Sequence, residues 1–259
     1  MDCGVGRGEQ KAGATSVVLV VDISVVIPAH NEEKTVGHVI ERVFSVLPRD
    51  TEIVLVDDGS TDRTPQIARE AGARVIRLPR NMGKGVALRT GFKAVSGEIV
   101  ITLDSDGTHR GEECGRLLQV LEDMDAEMVI GSRFLKPVNN GCTRGLNVFL
   151  NRAANMMIRL AHRTPITDSQ SGMRAMRRYL LESLELTSIG YEIETEITLK
   201  ALKNGYRVVE IPIFTNPRFF GGSKLNLLVD TGKMLNLYLH NLPSLNHNNS
   251  APKPNPGRI

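Results

Sequence analysis

The feature that most constrains this chain is an alternation of short apolar strands with helical stretches, in which three of the strands end in an acidic or polar cluster. Ile23–Ile27 closes on Pro28 and continues as Ala29-His30-Asn31-Glu32-Glu33. Glu52–Val56 runs into Asp57-Asp58-Gly59-Ser60, and Ile99–Leu103 into Asp104-Ser105-Asp106. Between them Val36, Val39, Ile40, Val43 and Leu47 recur at helical spacing, and Asp62 is placed to N-cap a second helix with Pro65 in its first turn. A short strand at Arg74–Leu78, a Gly-bounded helix from about Lys84 to Ala94, a helix near Glu112–Met124 and a strand at Met128–Ile130 continue the pattern. Apolar strands joined by amphipathic helices predict an α/β, Rossmann-like fold, a mostly parallel central sheet with helices on both faces. Ligands of such sheets bind outside the carboxyl ends of the strands. Pro28–Glu33, Asp57–Ser60 and Asp104–His109 therefore share one rim.

The second half is less regular. Arg144–His162 reads as a helix with cationic and amide residues along one side, Thr167–Arg174 as a polar loop, and Glu192–Lys203 as a helix ended by Asn204-Gly205. Arg207–Ile213 reads as a strand and Leu225–Leu242 as a final amphipathic helix. We expect a flexible Gly-rich arm over residues 1–15, one domain over 16–242, and a disordered Asn- and Pro-rich tail over 243–259. The chain of 259 residues suits one large α/β domain. A net charge of +3 is too small to point to nucleic acid, and it is compatible with visits to an anionic membrane surface. Cys3, Cys114 and Cys142 are scattered without CxxC spacing, which indicates neither a disulfide framework nor a zinc site and suits a reducing cytoplasm. The longest apolar run, within Val17–Ile27, is broken by Asp22 and Ser24 and falls short of the roughly 20 residues that span a bilayer. Any membrane contact is thus expected to be peripheral, at the cytoplasmic face.

Asp104 and Asp106 are the sharpest chemical signal. Two carboxylates one residue apart at a strand end repel unless a cation sits between them, and hard divalent ions share such ligands with substrate phosphates. A nucleotide diphosphate bridged to protein by Mg²⁺ or Mn²⁺ fits; an exposed acidic turn is the alternative for the motif alone. One carboxylate of Asp57-Asp58-Gly59-Ser60 can accept hydrogen bonds from a base or ribose, or the segment is simply a tight turn and helix cap. Asn81-Met82-Gly83-Lys84-Gly85 matches neither GxGxxG nor the Walker pattern, yet it precedes a helix, so its amides and Lys84 can face phosphate. Arg133, Arg144 and Arg152, with Arg218 and Lys224 around Phe219-Phe220-Gly221-Gly222-Ser223, are candidate clamps for an acceptor phosphate, or ordinary surface charge. His109 is either a metal ligand or a hydrogen-bonded structural histidine.

Taken together, PAHNEE, DDGSTD, NMGKG, DSD, GSRF, DSQSGMR, EIPI and RFFGGSKL resemble the family 2 glycosyltransferases, and more narrowly the dolichol-phosphate mannose synthases and related polyprenyl-phosphate hexose transferases. The resemblance runs from about Ile23 to Leu225. It implies a GT-A fold, Mg²⁺ or Mn²⁺, and transfer of a hexose, with inversion, from a GDP- or UDP-linked nucleotide-sugar to a dolichyl or polyprenyl phosphate. It further implies Pro28, Ala29, Glu32 and Asp58 at the nucleoside, Asp104 and Asp106 at metal and diphosphate, and Arg133, Arg144, Arg218 and Lys224 at the donor and acceptor phosphates. Asp168, in DSQSGMR, is expected to orient the sugar or to act as base towards a hydroxyl acceptor. The chain departs from the pattern at Thr108, where a metal-assisting Gln is usual, and at His30, where Tyr is frequent. The nearest rival is a family 2 enzyme with a soluble or polysaccharide hydroxyl acceptor. A dinucleotide-dependent oxidoreductase is disfavoured by the absent GxGxxG and the acidic strand ends, and a sugar-nucleotide-binding protein without turnover by the intact Asp104 and Asp106.

Overall fold

The structure is a computed structural model that describes residues 22–135 and 155–216 together with residues 237 and 241. Seven strands form one sheet: β1 (Ile23–Ala29), β2 (Glu52–Asp57), β3 (Arg74–Arg77), β4 (Ile99–Thr102), β5 (Met128–Ser132), β6 (Arg174–Arg177) and β7 (Val208–Pro212). Their order is β3-β2-β1-β4-β6-β5-β7. All neighbours pair in parallel except β6, which runs antiparallel to both β4 and β5.

The period of two along β1 divides the core. Ile23, Val25, Ile27 and Ala29 face α1 (Val36–Phe44), α2 (Thr64–Glu70) and α4 (Glu113–Asp123), packing with Val39, Ile40, Ala68 and Leu117. Val26 points the other way and joins Val54, Val56 and Val100 under α3 (Lys84–Ala94), α6 (Arg178–Ser183) and α7 (Ile193–Lys203). Each large side chain so buried contributes about 1.5–3 kcal/mol, so a register slip that exposed either set would be costly. The register Ala29↔Asp57 brings the ends of β1 and β2 level, and β4 flanks β1 on its other side. The chain moves from β1 outward to β2 and β3, then crosses back to β4. The three acidic strand ends therefore stand side by side at the point where strand order reverses, which is where open sheets of this kind leave a crevice.

Three local expectations are corrected. Thr167–Arg174 is not wholly loop: Arg174 opens β6, whose Ala175 and Met176 are fully buried. Arg-Ala-Met-Arg is too short and too charged to show as a strand; pairing with both neighbours makes it one. Asp62 is not the N-cap of α2, which begins at Thr64. Its Oδ1 accepts the Thr64 amide at 2.9 Å and its Oδ2 the Glu33 amide at 3.3 Å, so it ties the helix start to the β1 loop. Helix α1 ends at Phe44, and Leu47 reaches the core from the following turn. The helix expected from Arg144 is described over residues 155–162 (α5). The N-terminal arm, the C-terminal tail and nearly all of Leu225–Leu242 lie outside the described residues.

Candidate active site

A cavity of about 300 Å³ opens on this rim, lined by Pro28, Ala29, Asp58, Lys84, Asp104 and Asp106 among others. The β1 and β2 ends are zipped together below it. Asp58 donates its amide to the Ala29 carbonyl (2.8 Å), and His30 Nδ1 lies 2.7 Å from the Asp58 carbonyl oxygen. Ser105 Oγ donates to the Pro28 carbonyl (2.9 Å), joining the β4 end to the same framework.

Asp58 carries the next segment. Its Oδ1 accepts the Met82 amide at 2.6 Å and its Oδ2 the Gly83 amide at 2.9 Å. That pair of hydrogen bonds fixes the start of α3. Gly83 has φ of 100°, and a Cβ there would drive into the Ile189 carbonyl, so glycine alone fits. The Gly85 amide donates to the same carbonyl at 2.9 Å. Lys84, the first residue of α3, is thereby delivered into the cavity.

Lys84 Nζ lies 2.5 Å from Asp104 Oδ1 and 2.5 Å from Glu194 Oε1 on α7, and 5.7 Å from the centre of the Tyr191 ring. Burial works against the ammonium charge, but the two carboxylates outweigh it and keep Lys84 protonated. Burial likewise pushes Asp104 upward, and Lys84, together with the other positive groups around it, more than offsets this and holds the carboxyl well below its usual range. On its far side His109 is buried, its Nδ1 3.5 Å from Asp104 Oδ2 and without a hydrogen bond. Burial, only partly opposed by Asp104, lowers its pKa and favours the neutral ring. Asp106 Oδ1 accepts the Thr108 amide (3.0 Å) and hydroxyl (2.6 Å). Thr108 thus orients Asp106 from the position where the family pattern carries Gln. Gly172 backs Asp104 so closely that a Cβ would meet both its oxygens at 2.7 Å.

The carboxylates of ionised Asp104 and the adjacent Asp106 are the oxygen donors that a hard divalent ion takes. Among the described residues no group of three His, Cys, Asp or Glu side chains is spaced to hold an ion unaided. An ion here would complete its shell with substrate oxygens, as Mg²⁺ commonly does.

The other candidates stand apart. Arg133 and Asp168 do not line the cavity. Asp168 is fully buried, and the Arg133 fork grips it through Nε–Oδ2 (2.7 Å) and Nη2–Oδ1 (2.8 Å). Burial raises the Asp168 carboxyl, but Arg133 outweighs it and the group stays ionised. A fully buried carboxylate engaged on both oxygens is poorly placed as a base; here it orients Arg133. Arg174, buried and with its pKa brought down to about 10 by burial, holds the same loop by donating to the Ser169 and Ser171 carbonyls. Glu32 and Asp58 both line the cavity, whereas Arg144, Arg218 and Lys224 fall outside the described residues.

Sequence reasoning missed Glu194, Tyr191, Gly172 and Arg174. A signal for the first existed: Glu192, Glu194 and Glu196 alternate along a helix whose Ile193 and Ile197 are core, so some of those acids must point inward.

The family described as Glycosyl transferase family 2 matches residues 24–185. Polyprenol monophosphomannose synthase of Mycolicibacterium smegmatis is 33% identical over 216 residues, 78% of this chain and 80% of that protein. Dolichyl-phosphate hexose transferase of Haloferax volcanii is 35% identical over 198 residues, 74% of this chain and 82% of that protein. Among solved structures, glucosyl-3-phosphoglycerate synthase from Mycobacterium tuberculosis, in complex with Mn²⁺ and uridine-diphosphate-glucose, aligns with a TM-score of 0.68 at 26% identity, covering 86% of this chain and 79% of that one.

Proposed function

The chain belongs to glycosyl transferase family 2 and has the GT-A architecture, and from that premise we propose that it moves a hexose from a GDP- or UDP-linked sugar to a polyprenyl or dolichyl phosphate. The observation that carries the reading is the convergence of Asp58, Lys84, Asp104 and Asp106 on one cavity at the carboxyl ends of β1, β2 and β4. Similarity to synthases named for lipid phosphates supports the acceptor class.

In this reading Pro28, Ala29, Glu32 and Asp58 shape the nucleoside end, and Lys84 meets the diphosphate. Asp104 and Asp106 hold Mg²⁺ or Mn²⁺, which when bound supplies Lewis-acid stabilisation of the leaving diphosphate. Arg133, kept in place by Asp168, serves the acceptor phosphate, a role this reading also gives to Arg144, Arg218 and Lys224. A phosphate oxygen is already anionic near neutral pH, its second pKa being about 6, so it attacks the anomeric carbon without a protein base. A single in-line displacement inverts that carbon, and the charge that develops on the diphosphate is met by groups already in position.

Among the described residues no helix is long and apolar enough to cross a membrane. In this reading access to a lipid acceptor is by peripheral contact, in keeping with the likeness to transferases named for lipid phosphates. Helix α5 offers a face for it: Met156, Met157 and Leu160 are exposed at 54%, 39% and 73%, while Asn155 on the same helix donates to the Thr167 carbonyl beside Asp168. A soluble acceptor is the second reading, favoured by the likeness to glucosyl-3-phosphoglycerate synthase. The two separate in one assay: a panel of labelled nucleotide-sugars offered polyprenyl phosphate in detergent or phosphoglycerate in buffer. Label extracted with the lipid supports the proposal, and label confined to the aqueous product supports its rival.

A further inference from the structure

The residue that secures Lys84 belongs to none of the strand-end motifs. Glu194 sits on α7, its side chain 4% exposed, and does not line the cavity; Asp104, at 27%, does. The ammonium thus has one partner at the cavity wall and one behind it, at 2.5 Å each. It sits on the same carboxylate that a divalent ion requires. A divalent ion on Asp104 would lie close to the ammonium on Oδ1, and their mutual repulsion in a partly buried site weakens the binding of the ion. A nucleoside diphosphate removes the conflict, since it brings phosphate oxygens that can take the ammonium.

We propose that Lys84 is an exchangeable internal counter-ion. Before a donor enters, its single charge is shared between Asp104 and Glu194. When a divalent ion takes Asp104, the ammonium moves onto the donor's diphosphate while Glu194 keeps it tethered. This rests on the reading of Asp104 as a metal ligand given above. Its consequence is thermodynamic: Lys84 suppresses metal binding to the empty cavity, nucleotide lifts the suppression, and each ligand strengthens the other by the same factor. Glu194 is a positioning residue in this scheme. It touches neither substrate nor metal, and it prevents the displaced ammonium from being lost to solvent.

The test is Mn²⁺ binding followed by electron paramagnetic resonance, with and without GDP or UDP, on folded parent, Lys84→Met, Lys84→Arg and Glu194→Gln chains. In the parent, Mn²⁺ is expected to bind weakly alone and much more tightly with the diphosphate. Lys84→Met should bind Mn²⁺ alone at least about tenfold more tightly than the parent, since a nearby cation has been removed, and the enhancement by diphosphate should shrink by a similar factor. Lys84→Arg keeps the charge and should retain the parent's enhancement. Glu194→Gln leaves the ammonium to Asp104 alone, so metal binding without nucleotide should weaken; with Lys84→Arg it decides the matter if Lys84→Met does not fold. A Lys84→Met change that is absent, or equal with and without diphosphate, overturns the exchange. A parent that binds no Mn²⁺ even with GDP or UDP overturns the metal reading itself, and the exchange with it.

Discussion

Arg133 and Asp168 form a two-pronged ion pair in which the carboxylate is fully buried, and the Arg133 amide adds a third bond to it at 3.0 Å. The carboxylate is in turn held by its own backbone: the Asp168 amide donates to Glu210 on β7 at 2.9 Å. The orientation of Arg133 is therefore built through three layers, from β7 to the loop before β6 and out to the end of β5.

A lysine cannot reproduce the fork. Arg133→Lys should lose stability and raise the acceptor KM more than the donor Kd, as expected of a group oriented towards the acceptor. Arg133→Ala leaves Asp168 buried and uncompensated, which costs about 3–5 kcal/mol. Denaturant unfolding and separate acceptor and donor titrations check this. Loss of donor binding alone would move Arg133 to the other side of the reaction.

Gly172→Ala places a methyl group against both oxygens of Asp104. The fold should survive, because only a side chain need move, but the carboxylate must leave its place between Lys84 and His109. We expect a loss of about 100-fold in kcat, equivalent to about 2.7 kcal/mol, with a melting temperature near that of the parent. Unchanged kcat would show that the position of Asp104 is not critical.

The loop that packs on Gly83 and Gly85 is held by Glu196, whose carboxylate accepts the amides of Thr187 (3.0 Å) and Ser188 (2.9 Å) and pairs with Lys200 at 2.7 Å. Burial raises its pKa, but these partners outweigh burial and the net shift is below the usual 4.5. A carboxyl with a depressed folded pKa adds stability above its unfolded pKa and loses it as pH falls through the folded value. Glu196→Gln should therefore cost about 1–3 kcal/mol at pH 7, with the gap to the parent closing below about pH 4.5. It should also raise the donor KM, since the loop braces the start of α3. A gap independent of pH would contradict the assignment.

Much of this site was legible from sequence because an apolar strand that stops at an acid announces both its end and its rim. Asp104 and Asp106 were placed on the rim by that alone, and Lys84 by its position at the start of a helix, whereas Asp58 was singled out from Asp57 only by the family resemblance. What was not legible depends on partners remote in the chain. Arg174 looks like the end of a loop until Thr102 and Ile130 pair with it on either side. Glu194 looks like one more acid on a helix until its face is known to be buried. Asp168 is a further case: no local pattern shows that Arg133 occupies both its oxygens.

Met157 and Leu160 are spaced to share a face of α5, as are Met156 and Leu160. If α5 meets the headgroups, Met156→Ser with Leu160→Ser should reduce flotation with anionic liposomes and leave turnover of a short-chain, water-soluble prenyl phosphate unaltered. Flotation equal to the parent's would assign the membrane contact elsewhere.

The central claim is that Asp104 and Asp106 hold a divalent ion for hexose transfer to a lipid phosphate. The most direct test is labelled lipid formation by the chelator-treated chain, with and without restored Mg²⁺ or Mn²⁺, beside Asp106→Ala. No product is expected without metal, with recovery on its return and a loss of at least about 100-fold in Asp106→Ala even with metal present. Full lipid labelling by the metal-free chain would contradict it.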